Sequence, residues 1–356
     1  MTIAMTVKKE FPNFRNIVYN LIVMLSKKNQ EFCMNLKKIF TTIAIGFCFA
    51  TFAFAQEVKV VSPWNFSITT DFAYYPKSDY IAGNTHFAPL TGAYSGLEGR
   101  VTGSATYSIP TPLGEHWLLN SATLDLTGEL EISPVSIKPA VEIKWTPLPF
   151  IVFSAGGQAG TGWNLAGLQG MAELAEDGQS YEDLKPFSTY FIKWFVQGTF
   201  QFDTGAIIAG DWTHFQIMYT YQVYNEMLTG VKNQAVWDWQ CTGNKVNGLQ
   251  NYQNLVLAYQ MPLFVSRVGC LFESSGHYKN DAYSNSSYNS AFKSISISPM
   301  AQLKFSEQSI LTVLAGFSSR RSFTTSHKES IEETAITYCG YEWFFNRIAL
   351  SWSYTF

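Results

Sequence analysis

The chain has 356 residues, of which 14% are charged and 16% aromatic. A charged fraction well below the roughly 25% of soluble domains, with no apolar run of about 18 residues after the first 56 positions, argues against an ordinary soluble domain and against a helical membrane protein. Counted from Gln56, 17 Lys and Arg stand against 25 Asp and Glu, an acidic surplus that excludes a nucleic acid as electrostatic partner.

Residues 34–55 read as a signal peptide. Met34-Asn-Leu-Lys37-Lys38 is a basic start, 39–54 an apolar run too short to span a bilayer, and Ala53-Phe54-Ala55 a small-x-small cleavage site before Gln56. Bulky Phe47 before Cys48 argues against lipidation. Residues 1–33 carry one apolar patch, 17–25, between Lys8, Lys9, Arg15, Lys27 and Lys28. It is too short for an anchor, so 1–33 is expected to be a non-native upstream leader. The mature chain is then one domain, 56–356.

From Trp64 onward the chain alternates bulky apolar residues with small or polar ones, as a strand does when one face is greasy and the other wet. The first strand, 64–74, places Trp64, Phe66, Ile68, Phe72 and Tyr74 on one face and Asn65, Ser67, Thr69 and Asp71 on the other. Strands 97–109, 118–132, 135–145 and 151–163 follow, joined by turns at 110–114, Pro134 and 146–149. Residues 164–186 break the pattern, with a possible short helix at 168–175. Strands 190–202 and 207–221 come next, and then a second long loop, 225–250. Hairpin 255–261/263–272, loop 274–290, hairpin 295–305/310–317, charged loop 320–333 and strands 335–343 and 347–356 complete the chain.

The last strand places Ile348, Leu350, Trp352, Tyr354 and Phe356 on one face, opposite Ala349, Ser351, Ser353 and Thr355. A barrel in a bilayer must end on such a strand, because its last strand pairs with its first and leaves no edge. The fold expected is an all-β, transmembrane antiparallel β-barrel built from a single chain. A mature chain of 301 residues, at roughly 22 to 25 per strand and connection, allows 12–14 strands. Thirteen are legible, and single-chain bacterial barrels have even numbers. Either 236–241 supplies a fourteenth, the slightly favoured count, or one strand has been split in two.

Several stretches resemble a family of uncharacterised spirochaete (treponemal) outer-membrane barrels: Pro112-Leu-Gly-Glu-His-Trp117, Thr146-Pro-Leu-Pro149, Gly156-Gly-Gln-Ala-Gly-Thr-Gly-Trp163, Phe200-Gln-Phe-Asp-Thr-Gly205, Arg320-Arg-Ser-Phe323 and Asn346-Arg-Ile-Ala-Leu-Ser-Trp352. The resemblance spans most of the mature chain and implies the fold and an outer-membrane location. It brings no activity and no catalytic residues.

The polar faces of two neighbouring strands carry acids and bases, so Asp125, Glu129, Glu131, Lys138, Glu142 and Lys144 are candidate lumen residues. Surface-loop candidates are Glu173, Glu176, Asp177, Glu182, Asp183, Arg320 and Arg321. Trp64, Trp145, Trp194, Trp352, Tyr354 and Phe356 are assigned to the aromatic girdle and closing strand, and Trp237 and Trp239 to the girdle rather than to a stacking platform. The acids between 173 and 183 could attract Ca²⁺ but match no EF-hand, and a solvated loop explains them more simply. The glycines of 156–162 lack the Lys-Ser/Thr ending of a phosphate loop. His214 lies near Thr213 and Asp211, yet nothing marks a nucleophile, and no GxSxG or HExxH occurs. Cys241, Cys270 and Cys339 are too sparse for a disulfide framework or a metal site. No metal, cofactor or catalysis is expected. The leading expectation is a porin or channel for small solutes. The next is a surface binding or structural protein with adhesin-like loops, and the third a membrane-embedded hydrolase. Partners would be the outer-membrane lipid bilayer, the barrel-assembly machinery at the Phe356-terminated strand, and a small solute.

Overall fold

A computed structural model describes residues 62–356, except 117, 166–167, 177, 179, 241–243 and 326–335. The leader and signal peptide, with the Ala55–Gln56 cleavage site, lie outside the described residues, as do Asp177 and Cys241. The strands are β1 (Trp64–Lys77), β2 (His86–Phe87), β3 (Gly92–Pro110), β4 (Thr123–Ser133), β5 (Ser136–Leu148), β6 (Ile151–Gly162), β7 (Met171–Leu174), β8 (Tyr181–Asp183), β9 (Phe191–Asp203), β10 (Phe215–Leu228), β11 (Trp237–Trp239), β12 (Gly248–Gln260), β13 (Val265–His277), β14 (Ser294–Lys304), β15 (Ser309–Phe323) and β16 (Tyr338–Thr355).

Twelve of them form one antiparallel barrel in the order β1-β3-β4-β5-β6-β9-β10-β12-β13-β14-β15-β16. β16 returns to β1, in register from Ser67↔Thr355 to Tyr74↔Ile348. The Phe356 amide extends the seam by donating to the Phe66 carbonyl at 2.9 Å. Where β16 runs past β1, the short β2 pairs parallel to it at Glu342 and Trp343. Closure is required because an unpaired strand edge in hydrocarbon leaves backbone groups unsatisfied, at several kcal/mol each.

The strand count of twelve settles the parity question. The expected strands 335–343 and 347–356 are one strand, β16, carrying a bulge. Gly316 pairs with Arg347 and Phe317 with Phe345, which leaves Asn346 as the extra residue. A bulge interrupts the period-two pattern without ending the strand, so Phe344-Phe345-Asn346 mimics a turn. Residues 237–239 do form a strand, but outside the barrel: β11, β7 and β8 make a separate three-stranded sheet. The helix expected at 168–175 is instead β7 with its lead-in. Several barrel strands start or end away from the expected positions; β10 runs on to Leu228 and β12 begins at Gly248, which shortens the expected 225–250 loop from both sides. Residues 118–122 are turn, and β10 starts at Phe215, after a loop that exposes Ile207 (74%) and Ile208 (55%).

With twelve strands, successive connections fall at opposite rims, and the longest ones all fall at the same rim. β1, β4, β6, β10, β13 and β15 end at one rim, and β3, β5, β9, β12, β14 and β16 end at the other, where β1 also begins. Only the 134–135 hairpin is short at the first rim. This is the arrangement of barrels whose long loops face outward and whose turns face the periplasm.

The outer face is apolar. Leu124, Leu126 and Gly128 on β4 pair with Trp145, Ile143 and Val141 on β5, and Val141 is 67% exposed. Trp64, Trp145, Trp352, Tyr354 and Phe356 point outward toward the short-connection rim, and Trp194 outward toward the long-connection rim. Such exposure would be costly in water and is favourable in lipid.

Val141→Arg, on the lipid face at the middle of β5, is expected to destabilise the barrel by roughly 2–4 kcal/mol, whereas a polar substitution at inward Gln158 should cost far less. Urea unfolding in lipid vesicles, followed by tryptophan fluorescence, measures the difference.

Candidate functional site: the lumen and its loop cap

Alternation sends every second residue of each barrel strand inward, and on β1, β3, β4 and β5 those residues include Asp71, Arg100 and the acids and bases of β4 and β5. Arg100 donates to Asp71 at 2.8 Å and lies 3.7 Å from Glu131. Lys138 meets Glu131 at 3.0 Å, and Lys144 meets Asp125 at 2.9 Å. All six candidate lumen residues are therefore on the inner faces of β4 and β5, four of them in ion pairs. Among the described residues, Glu129 and Glu142 have no ion-pair partner; with Gln158 and Phe195 they line a small recess of about 80 Å³. Gly156 leaves room for the Phe195 ring there, since a Cβ would come within 2.6 Å of the ring.

The wall across the lumen is different. Inward Met218 pairs with Val256, Val256 with Leu271, and Met300 with Leu314. The lumen thus has a charged side and, on the other side, an apolar patch set among polar residues such as Gln222, Asn254 and Glu273. Sequence reasoning missed the apolar patch, although the unbroken run Leu255-Val256-Leu257-Ala258, apolar on both faces, was its signal.

The loops of one rim fold into a cap. β7 pairs with β8 and β11, bringing residues 163–190 and 229–247 together. Trp237 (0% exposed) and Trp239 pack with Met171, Phe191 and Leu228. These two tryptophans are not girdle residues, because they sit in the cap's own core rather than at a lipid interface. A second cluster joins Val236, Val246, Tyr283, Tyr288, Phe323 and Ile336. Polar contacts tie cap to barrel. Lys245 meets the buried Glu226 of β10 at 3.0 Å, Gln250 donates to Glu226 at 3.1 Å, and Gln240 donates to Ser133 at 2.9 Å and also to Ser136.

Of the surface-loop candidates, Glu173 is on β7 and Glu182 and Asp183 are on β8, so they belong to an ordered sheet rather than to a free loop. Exposed Glu176 lies 3.4 Å from Lys232. Arg320 and Arg321 are not loop residues: they lie in β15, which the alternation-breaking Ser318-Ser319 pair made look shorter. Arg320 donates to Glu342 at 2.6 Å and is flanked by the Tyr80 and Phe344 rings, while Arg321 packs against Tyr283, Tyr288 and Phe292. Between barrel and cap lies a vestibule of about 1100 Å³, lined by Tyr75, Glu98, His277, Arg320, Arg321 and Arg347 among others.

At the opposite rim His214 pairs with Asp203 at 3.0 Å, not with Asp211. Asp203 also accepts from Gln216 at 2.8 Å and from the Gly205 amide at 2.8 Å, so this pair fastens a turn. Among the described residues no group of three His, Cys, Asp or Glu is placed to hold a metal ion.

No family model and no curated protein matches this chain. Solved structures resemble it distantly. A KdgM porin is 9% identical, with a TM-score of 0.36 over 82% of this chain and 99% of that one. The β domain of the Bordetella autotransporter BrkA is 7% identical, at 0.39 over 82% and 99%. The outer membrane channel DcaP of Acinetobacter baumannii is 9% identical, at 0.34 over 85% and 100%. At these scores the likeness adds nothing to what the strand pairing establishes, and it indicates no solute.

Lys245→Ala leaves Glu226 buried without its cation, and Trp237→Ala removes the largest side chain of the cap core. Each is expected to loosen the cap while leaving the barrel folded. Limited proteolysis should cut within 163–190 and 229–247 much faster than in wild type, with the heat-modifiable barrel band unchanged on gels.

Proposed function

We propose that this chain is an outer-membrane channel of porin type, passing small solutes and performing no catalysis. One observation carries the reading: a closed barrel whose inner wall holds Asp71, Arg100, Glu131, Lys138, Asp125 and Lys144 in ion pairs, leading to a vestibule of about 1100 Å³. Charges on an inward face remain favourable where water fills the interior, and a dry core would make them costly. Export by the 34–55 signal peptide, assembly through the Phe356-terminated strand, and kinship with spirochaete barrels belong to the same proposal.

A second reading has its own support. The long loops carry a hydrophobic core and a sheet of their own, so the cap can present a stable surface to a partner outside the cell. On this reading the cap binds, and the barrel only anchors it.

Planar-bilayer recording of the refolded full chain separates the two. The channel reading expects discrete conductance steps and solute-dependent swelling of loaded liposomes. Folded protein that produces neither, in membranes where a known porin produces both, would leave the anchored-surface reading standing instead.

A further inference from the structure

The vestibule has an imbalance of charge that the channel reading alone does not use. Four cationic side chains line it besides His277: Lys77, Arg320, Arg321 and Arg347. Two are neutralised, Lys77 by Asp79 at 3.1 Å and Arg320 by Glu342 at 2.6 Å. Among the described residues, Arg321 and Arg347 have no carboxylate within ion-pair distance. The vestibule's remaining acid, Glu98, accepts a hydrogen bond from the Tyr75 hydroxyl at 2.7 Å.

Each unneutralised arginine is held in place by its surroundings. Arg321 donates through Nε and Nη2 to the Asn289 carbonyl, both at 3.3 Å, which leaves Nη1 uncommitted among the described residues. Its flat face is covered by Tyr283 at 4.9 Å, Tyr288 at 4.2 Å and Phe292 at 4.9 Å. Arg347 sits beside the Asn346 bulge that re-aims β16, and Gly316 across the strand pair leaves room for its stem. Its head reaches toward the Tyr75 hydroxyl. The unpaired acids Glu129 and Glu142 belong to the separate recess, farther along β4 and β5 toward the short-connection rim.

An arginine with no carboxylate partner keeps its charge and its uncommitted N–H donors for an incoming anion, and aromatic walls favour a ring or apolar body on that anion. We propose that the vestibule is a binding site for small organic anions, carboxylates with a flat or apolar body, held at Arg321 between its aromatic walls, while Arg347, at the register of Gly316 farther down the same strand pair, adds positive charge rather than a second contact. This deepens the channel reading and rests on it for the route by which such an anion arrives.

The test uses the refolded full chain, with benzoate as probe and benzyl alcohol as its uncharged counterpart. Calorimetric titration in detergent should show benzoate binding and no comparable binding of benzyl alcohol. Arg321→Gln should weaken benzoate by at least about tenfold, the loss of one charged hydrogen-bonding partner, and Arg347→Gln by a smaller factor, since it removes charge from the vestibule but no direct contact. Arg347→Lys, which keeps the charge, should lose less, and Glu129→Gln should lose nothing. In bilayers under a KCl gradient, wild type should favour chloride over potassium, with the preference falling toward unity in the Arg321→Gln/Arg347→Gln double variant. Benzoate that binds no better than benzyl alcohol, or equally well to wild type and Arg321→Gln, overturns the proposal even if the channel conducts. Arginine-dependent benzoate binding without conductance would preserve the site and remove the channel.

Discussion

In hydrocarbon there is no water to satisfy a free N–H or C=O, so every backbone group of a spanning segment must pair within the protein. For this chain that requirement falls on the seam between β1 and β16, where the first and last barrel strands meet over eight paired positions. The rest follows from closure. Side chains have two places to go, so the outer face becomes apolar, with residues such as Val141 and Trp194, and the inner face takes the charges. Once the barrel is closed, the connections are free to vary, and here those of one rim have become long enough to fold on each other.

That cap has its own physical logic. Short segments from loops far apart in sequence cannot bury much individually. Pairing β7 with β8 and β11 satisfies their backbone groups and brings Trp237, Trp239, Met171 and Leu228 into one core. The buried Glu226–Lys245 pair then anchors the cap to the barrel wall, where a lone carboxylate would be costly. The vestibule that remains between cap and wall is faced by Arg320, Arg321 and Arg347, of which Arg320 and Arg321 are packed against aromatic rings.

Period two made most of the barrel legible from sequence, because lipid on one side and water on the other force an alternation that few other folds sustain. The inner charges on β4 and β5 were readable for the same reason. What was not readable depended on contacts between distant residues. A single extra residue, Asn346, made one strand look like two. Ser318-Ser319 hid the end of β15 and sent Arg320 and Arg321 to a loop. The tryptophans of 237–239 carry the same composition as a girdle pair, and only pairing with residues 171–173 shows that they are buried. That Arg321 and Arg347 face a vestibule was likewise not readable, since nothing local says which carboxylates they lack.

Everything in this architecture depends on twelve strands closing between β1 and β16 in one register. Disulfide trapping tests this closure most directly: Thr69→Cys with Ser353→Cys, a facing inward pair, in a chain whose native cysteines are replaced by serine. Mild oxidation in native membranes is predicted to crosslink this pair efficiently, whereas Thr69→Cys with Ser351→Cys, two residues out of register, should crosslink poorly. Efficient crosslinking of the shifted pair, or of neither, would contradict the closed register on which the fold, the lumen and the vestibule all depend.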